Sequence, residues 1–408
     1  MADPQPIPQP ILQPNPLDPT AGSLEERLPV MAAIRATAHG SVDTPAGRYF
    51  ATAAGVRAAL ADVDRFVGSF IDTTALPADE VMLSAVPEPE HGRLRKVVNS
   101  VVAHHRLAPA EPFIRTTAAE LVAAAVAAAA DGSPVDLVAA VSDPLPSAVI
   151  AHMLGVPQAD RERFRIWSDE LLDAQQDRRA RTLSQAHPEF AAYIQRLIDD
   201  RRAAEDPPDD IVTRLLQTAY DDGTLLSDAA VRTQTMFLIV AGNETTRNLV
   251  ANCLHTLAAH PDIYAAVRAD PALLPALVEE SLRLDAPVQI LARAVRAPTE
   301  VAGCPLAAGD RVVLGIASAN RDESVYADPD VLRLDRANPR DHLAFGTGPH
   351  VCPGASLARL ETLAVLQELC ARTEKVRLAP DFTPEPGTVF WAHGQRRLPC
   401  LITPADPC

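Results

Sequence analysis

The chain has 408 residues, 47% hydrophobic and 22% charged, with a formal net charge of -16. That length allows one large domain or a few smaller ones and a large buried core. The acidic balance argues against a nucleic-acid binder, which needs a basic stripe to meet phosphates.

Residues 1–20, "MADPQPIPQPILQPNPLDPT", are punctuated by proline and are expected to be extended or disordered. They lack a charged segment followed by an apolar one, so no signal peptide is expected. The ordered fold should begin near "SLEERLPVMAAIRATA", and "GRYFATAAGVRAALAD" has strand, then helix character, so residues 45–65 are expected to hold a short hairpin. From about 90 to 290 the apolar spacing is mostly helical. "HGRLRKVVNSVVAHH" and "TTAAELVAAAVAAAA" are helices on that spacing, and "SDPLPSAVIAHMLGV" opens with a cap-like Ser and Asp before Pro. The run "LVAAAVAAAA" at 121–130 is too short to cross a bilayer, so no membrane association is expected. Between Ser227 and Pro261 an uninterrupted helical stretch is apolar on all sides through "MFLIVA", which predicts a buried central rod. "PALLPALVEESLRLDAP" is a further helix, stopped before Pro287. "TEVAGCPLAAGDRVVLGIASAN" alternates and carries turn signals, the pattern of short strands. An irregular stretch follows to about 350, then a helix over "GASLARLETLAVLQELCART", then short strands and loops. The pattern predicts a mainly α fold with a small β portion, in one domain over 21–408.

Cysteines stand at 253, 304, 352, 370, 400 and 408, with no C-x-x-C pair, which fits thiols in a reducing cytoplasm. Cys352 alone has distinctive neighbours, in "FGTGPHVCPG" at 345–354. Pro353 suits the first turn of a helix, so the sulfur would face free backbone N–H groups, and these with the helix dipole favour a thiolate. Gly346, Gly348 and Gly354 permit tight turns and close approach to something flat or bulky. The context points to a functional thiolate without naming its partner. Zinc would draw on His342, His350, Cys352 and His91, whose spacing is not that of a zinc site. A thiol nucleophile lacks a visible base. A phosphate-binding or dinucleotide fingerprint is absent. A haem iron held by one cysteine, with basic groups for its propionates, explains more.

"FGTGPHVCPG" resembles the cysteine-loop signature of the cytochrome P450 family, F-G-x-G-x-H-x-C-x-G, at every fixed position. The resemblance implies that family's triangular, helix-rich fold, with a long central helix over the haem. It implies Cys352 as the proximal ligand of the iron of haem b, with His350 on a propionate, Phe345 packed beside the thiolate and Gly354 closing the loop. "EESLR" supplies the family's E-x-x-R as Glu280 and Arg283, which share a helix face. Arg336 in "LRLDR" matches the third basic residue of that structural cluster, although Leu332 and Arg333 replace the family's usual Phe-Asp. His91 and Arg95 in "HGRLR", four apart on one face, and Arg293 in "QILARAVRAP" carry over as propionate contacts.

"AGNETT" at 241–246 is similar to the family's oxygen-groove pattern. Ala241 and Gly242 leave room over a flat ligand. The Thr245 hydroxyl can bond back to the carbonyl of Ala241 and open the helix locally. Glu244 is costly in an apolar stretch unless it has a task or a partner. With Thr245 it is read as the catalytic acid–alcohol pair that delivers protons to bound dioxygen. By family position the substrate pocket is expected to use Phe237, Leu238, Val288, Gln289, Ile290, Leu291 and Phe390. The resemblance thus implies a monomeric monooxygenase acting with O2 on a small hydrophobic substrate, by hydroxylation or epoxidation. Electrons would come from a separate ferredoxin and ferredoxin reductase, docking through Arg93, Lys96, Arg340 and Arg359. A peroxide-driven enzyme, or a haem protein without turnover, is the alternative. The acid–alcohol pair counts against the first, and tolerance of Thr245 loss would mark the second.

Overall fold

A computed structural model describes residues 19, 22–68, 73, 75–102, 107–175, 182–385 and 391–405. The disorder expected for residues 1–20 falls almost wholly outside them. The chain opens with α1 (Leu24–Arg35), started by a reciprocal cap between Ser23 and Glu26. The expected hairpin follows as β1 (Ser41–Thr44) and β2 (Gly47–Phe50), then α2 (Ala53–Ala61) and β3 (Phe66–Gly68). The helical body comprises α3 (Glu90–Val102), α4 (Glu111–Ala128), a short strand β4 (Val135–Asp136), α5 (Pro144–Met153) and α6 (Arg161–Gln175). It continues through α7 (Leu183–Ala186), α8 (Pro188–Ala203), α9 (Ile211–Gln217), α10 (Asp228–Ala259), α11 (Pro261–Ala269) and α12 (Leu274–Leu284). Then come β5 (Ile290–Val295), β6 (Thr299–Val301), β7 (Cys304–Leu306), β8 (Arg311–Gly315), α13 (Ile316–Ala319), α14 (Ala355–Arg372), β9 (Thr373–Leu378) and β10 (Pro399–Pro404). The fold is mainly α with a small β portion.

α10 runs for 32 residues, with the Ser227 side chain capping Ala230 N–H. It is apolar round most of its circumference, so it is buried all round. Ile239, Leu249, Val250, Leu254 and Leu257 are at most 1% exposed. α4, α5, α8 and α14 pack into the same core. The sheets lie to one side. The larger has the order β1-β2-β8-β5-β3, with β2 and β8 parallel and the other pairs antiparallel. Its β5 register sets Arg293 opposite both Gly68 and Val312, fixing that arginine at a buried position. A smaller sheet, β4-β10-β9, closes against α10 and α4. Among the described residues no helix is long and apolar enough to cross a membrane.

Candidate active site

A cavity of about 580 Å³ separates α10 from the loop that carries Cys352. α10 contributes Phe237, Leu238, Ala241, Gly242 and Thr245. The segment through β5 contributes Val288, Ile290, Leu291 and Arg293, and α3 contributes His91 and Arg95. Phe345, His350, Cys352 and Gly354 complete the wall from the opposite side. Residues scattered over more than 250 positions of sequence therefore meet at one site. Phe390 lies outside the described residues. Gln289 is not part of the wall, contrary to expectation. It is fully buried behind the wall, with its amide donating to Ala286 O at 2.7 Å and its backbone N–H to Trp391 O at 2.8 Å. It pins a neighbouring cavity residue, Trp391, instead.

The Cys352 loop is shaped by two left-handed glycines, Gly346 (φ 67°) and Gly348 (φ 69°). Cys352 N–H donates to Phe345 O at 2.8 Å, closing the loop on itself. α14 begins at Ala355 with Gly354 as its cap, so Pro353 stands just outside the helix. Gly354 and Ala355 N–H groups do face the sulfur, as expected, and Arg95 and Arg359 add positive charge. Even so, burial is the largest influence and pushes the thiol up. The helix-end donors favour the anion, as expected, and burial opposes them. Among the described residues no group of three His, Cys, Asp or Glu side chains could hold a metal ion. Cys253, Cys304, Cys370 and Cys400 are free and buried, as core thiols are.

Basic groups with unmet donors gather beside the thiol. His91 places Nδ1 2.8 Å from Glu88 Oε1 and stacks on the His350 ring at 3.9 Å, while its buried Nε2 has no partner. Arg95 donates to Val351 O, which ties α3 to the loop, but its buried Nε has no partner. Arg293 is 7% exposed, and burial draws its guanidinium down to about 10. His350 is drawn down to about 4, first by burial and then by His91 and Arg293. Of these, Arg293 is a buried guanidinium for which no ion pair is described, and such a charge is costly. Among the described lining residues the only acid is Glu361, so the cradle calls for an anionic ligand brought from outside.

On the α10 side, the Thr245 hydroxyl donates to Ala241 O at 2.7 Å. The helix stays continuous through this bond rather than opening. Glu244 is buried and turned away from the cavity. Arg247 pairs with its Oε2, and Asn248 Nδ2 donates to its Oε1 at 3.0 Å. Sequence reading found Glu244 but not these partners, three and four residues on along the same helix.

Residues 61–373 match the family model for Cytochrome P450, more than half of the chain. The chain belongs to the cytochrome P450 family. The P450 is 38% identical over 312 residues, 76% of this chain and 72% of the relative, to Cytochrome P450 monooxygenase PikC of Streptomyces venezuelae. It is 37% identical to the Erythromycin C-12 hydroxylase of Saccharopolyspora erythraea, covering 74% of this chain and 75% of that one. Among solved structures, CYP109E1 from Bacillus megaterium in complex with testosterone superposes with a TM-score of 0.81 at 30% identity, covering 92% of this chain and 98% of that one. The protein is a P450 monooxygenase, and the family implies a haem-thiolate iron cofactor. The site fits that group. One cysteine faces the cavity, and the orphaned donors of His91 and Arg95, with the unpaired charge of Arg293, match the two propionates. The E-x-x-R pair of this P450 is fully buried. Arg283 donates twice to Glu280, at 2.7 and 2.9 Å, and Arg336 Nε donates to Glu280 Oε2 at 2.9 Å. Arg333, in place of the usual family residue, still gives its backbone N–H to Glu280 at 2.9 Å.

Proposed function

We propose that this P450 hydroxylates or epoxidises a neutral, largely apolar small molecule, using O2 and electrons from a separate ferredoxin and its reductase. The observation that carries the substrate class is the wall around Thr245. Phe237, Leu238, Leu249, Val288, Ile290 and Leu291 line it, and the charged lining residues besides the cradle are Arg311 and Glu361. Two similar proteins support an organic substrate of this kind: one is named for hydroxylating erythromycin, and the other holds testosterone.

In this reading Cys352 would hold the iron of haem b, while His91, Arg95, Arg293 and His350 would hold its propionates. Bound haem supplies the activation of dioxygen, and the chain positions, excludes water and manages protons. Ala241 and Gly242 keep the facing surface of α10 low. Thr245, whose own proton is committed to Ala241 O, offers its oxygen lone pairs to the cavity as an acceptor. Glu244 is the carboxylate of the relay behind it, reached when Arg247 and Asn248 let it turn.

The test is spectroscopic. The reduced carbon-monoxide complex should show the red-shifted Soret band of thiolate ligation, and Cys352→Ser should lose it; retention of that band in the serine variant would sink the assignment. Neutral apolar compounds from a library should produce the low- to high-spin shift. Carboxylate or ammonium analogues of equal size should not.

A further inference from the structure

Glu279 stands beside Glu280 on α12, and no motif requires it. Its carboxylate is 4% exposed and gathers cationic side chains from two places. From the segment before Cys352 come Arg340, with Nε 3.4 Å from Oε1, and His342, with Nε2 2.9 Å from Oε2. From α14, after Cys352, Arg359 donates through Nε to Oε1 at 2.7 Å and through Nη2 to Oε2 at 2.8 Å. These two segments flank the thiol in sequence. One carboxylate thus ties both arms of the Cys352 loop to α12. Burial pushes the carboxyl up, but hydrogen bonds from His342 and Arg359, and their charge, hold it down at about 2. It is a fixed negative charge over the whole working range.

Arg359 reaches further than Glu279. Its guanidinium lies over the Phe345 ring, 4.5 Å from the centroid, and Phe345 O is the acceptor that closes the Cys352 loop. Its charge is also felt at the Cys352 sulfur, where with Arg95 it favours the anion. The field that Arg359 exerts at the sulfur is what remains after the negative charge of Glu279 is subtracted.

We propose that Glu279 is a positioning residue that sets the electrostatic field at Cys352 by screening Arg359 and pinning it over Phe345. The inference rests on the reading of Cys352 as the thiolate ligand of the iron. With Glu279 in place, Arg359 is paired and the sulfur keeps its electron density. Without it, an unopposed positive charge faces the sulfur and favours the reduced, more negative state of the iron site. Neutralising Arg359 instead has the opposite sign, and neutralising both largely cancels.

The experiment is a spectroelectrochemical titration of the ferric–ferrous couple in the holoenzyme, for wild type, Glu279→Gln, Arg359→Gln and the double variant. Each protein is also recorded as its reduced carbon-monoxide complex. The potential should rise in Glu279→Gln and fall in Arg359→Gln, each by about tenfold in the reduction equilibrium, or about 59 mV for one electron. The double variant should return close to wild type, and Glu279→Asp should recover most of the single shift. A merely structural role predicts both single variants moving the same way, with growing loss of the thiolate band. That result, or unchanged potentials, overturns the inference. If Glu279→Gln fails to hold haem, the direction of Arg359→Gln decides alone. Absence of the thiolate band from the wild-type protein would overturn the ligand assignment itself, and is told apart by appearing before any substitution.

Discussion

Gly242 has nothing within 4 Å of where a Cβ would stand, although it sits in the middle of a packed helix. The empty space is the cavity, because Gly242 lines it. An alanine there should stabilise α10 by up to about 1 kcal/mol, since it costs less backbone entropy than glycine. The same methyl projects into the slot over the cofactor. Gly242→Ala is therefore expected to raise the thermal midpoint slightly while weakening the substrate-induced spin shift, a trade of function against stability. A spin-shift titration with unaltered affinity would show that the slot has room to spare. Thr245 is the neighbouring case. Removing its hydroxyl in Thr245→Ala leaves Ala241 O without that donor and removes an acceptor that α10 presents to the cavity. Product formed per electron pair should fall by about a hundredfold, the low end of the usual range for one proton-handling group, while the thiolate band is unchanged. Thr245→Ser should restore coupling. Equal coupling in alanine and wild type would favour a protein that binds haem without turnover.

The elements differ in how far they can be read in advance. α10 and α14 are legible because a long apolar pattern and a start signal are local properties of the chain. The Glu280–Arg283 pair is legible for the same reason, being one turn of one helix. What surrounds Glu244 and Glu279 is not, because burial and partner choice are decided by chain far away. Arg359 is 80 positions from Glu279. The burial that opposes the helix-end donors at Cys352 is hidden on the same account, since donors at a helix start are local while burial is tertiary. Gln289 shows the limit on a strand approach, where a shift of one residue turns a side chain from the wall to the core. Two predictions belong to these elements. Glu280 neutralises two buried guanidiniums, so Glu280→Gln should cost about 3–5 kcal/mol, read as a lower urea midpoint with an unchanged slope. On α14, Glu361 is buried with an unpartnered Oε2, and burial pushes its carboxyl up to about 8 from the ordinary 4.5. Between those values the folded protein keeps a proton that the unfolded chain has lost. Stability from this group is thus full below pH 4.5 and declines as pH rises toward 8, by at most about 1.4 kcal/mol per pH unit. Glu361→Gln should flatten the fall in midpoint between pH 5 and pH 8; an undiminished fall would place its origin elsewhere.

At the scale of the whole molecule, charge bears on the proposed electron donor. With 53 acidic and 37 basic residues the protein carries -16 overall, so an acidic ferredoxin of the kind proposed would be repelled at long range and would have to find a local basic surface. The four cations expected to form it are unequal. Arg359 is committed to Glu279 and only 23% exposed, whereas Arg340 is 74% exposed. Arg93 and Lys96 stand out on α3, but each is already engaged, with Asp222 and with Asp221 at 2.5 Å. Exposed pairs of this kind add little stability, so replacing their acids should leave the fold intact. It should also bare two cations to an incoming acidic partner. Asp221→Asn with Asp222→Asn is therefore expected to speed bimolecular reduction by ferredoxin, by up to about tenfold at low salt, while Lys96→Gln or Arg340→Gln slows it. Both effects should vanish near 1 M salt, where the screening length is about 3 Å. Stopped-flow reduction across ionic strength reads all of them. Rates that ignore Asp221 and Asp222 yet fall with Arg340→Gln would move the docking surface off α3 and onto the segment before Cys352. Rates that ignore every variant would remove the basic surface from the path of the electron altogether.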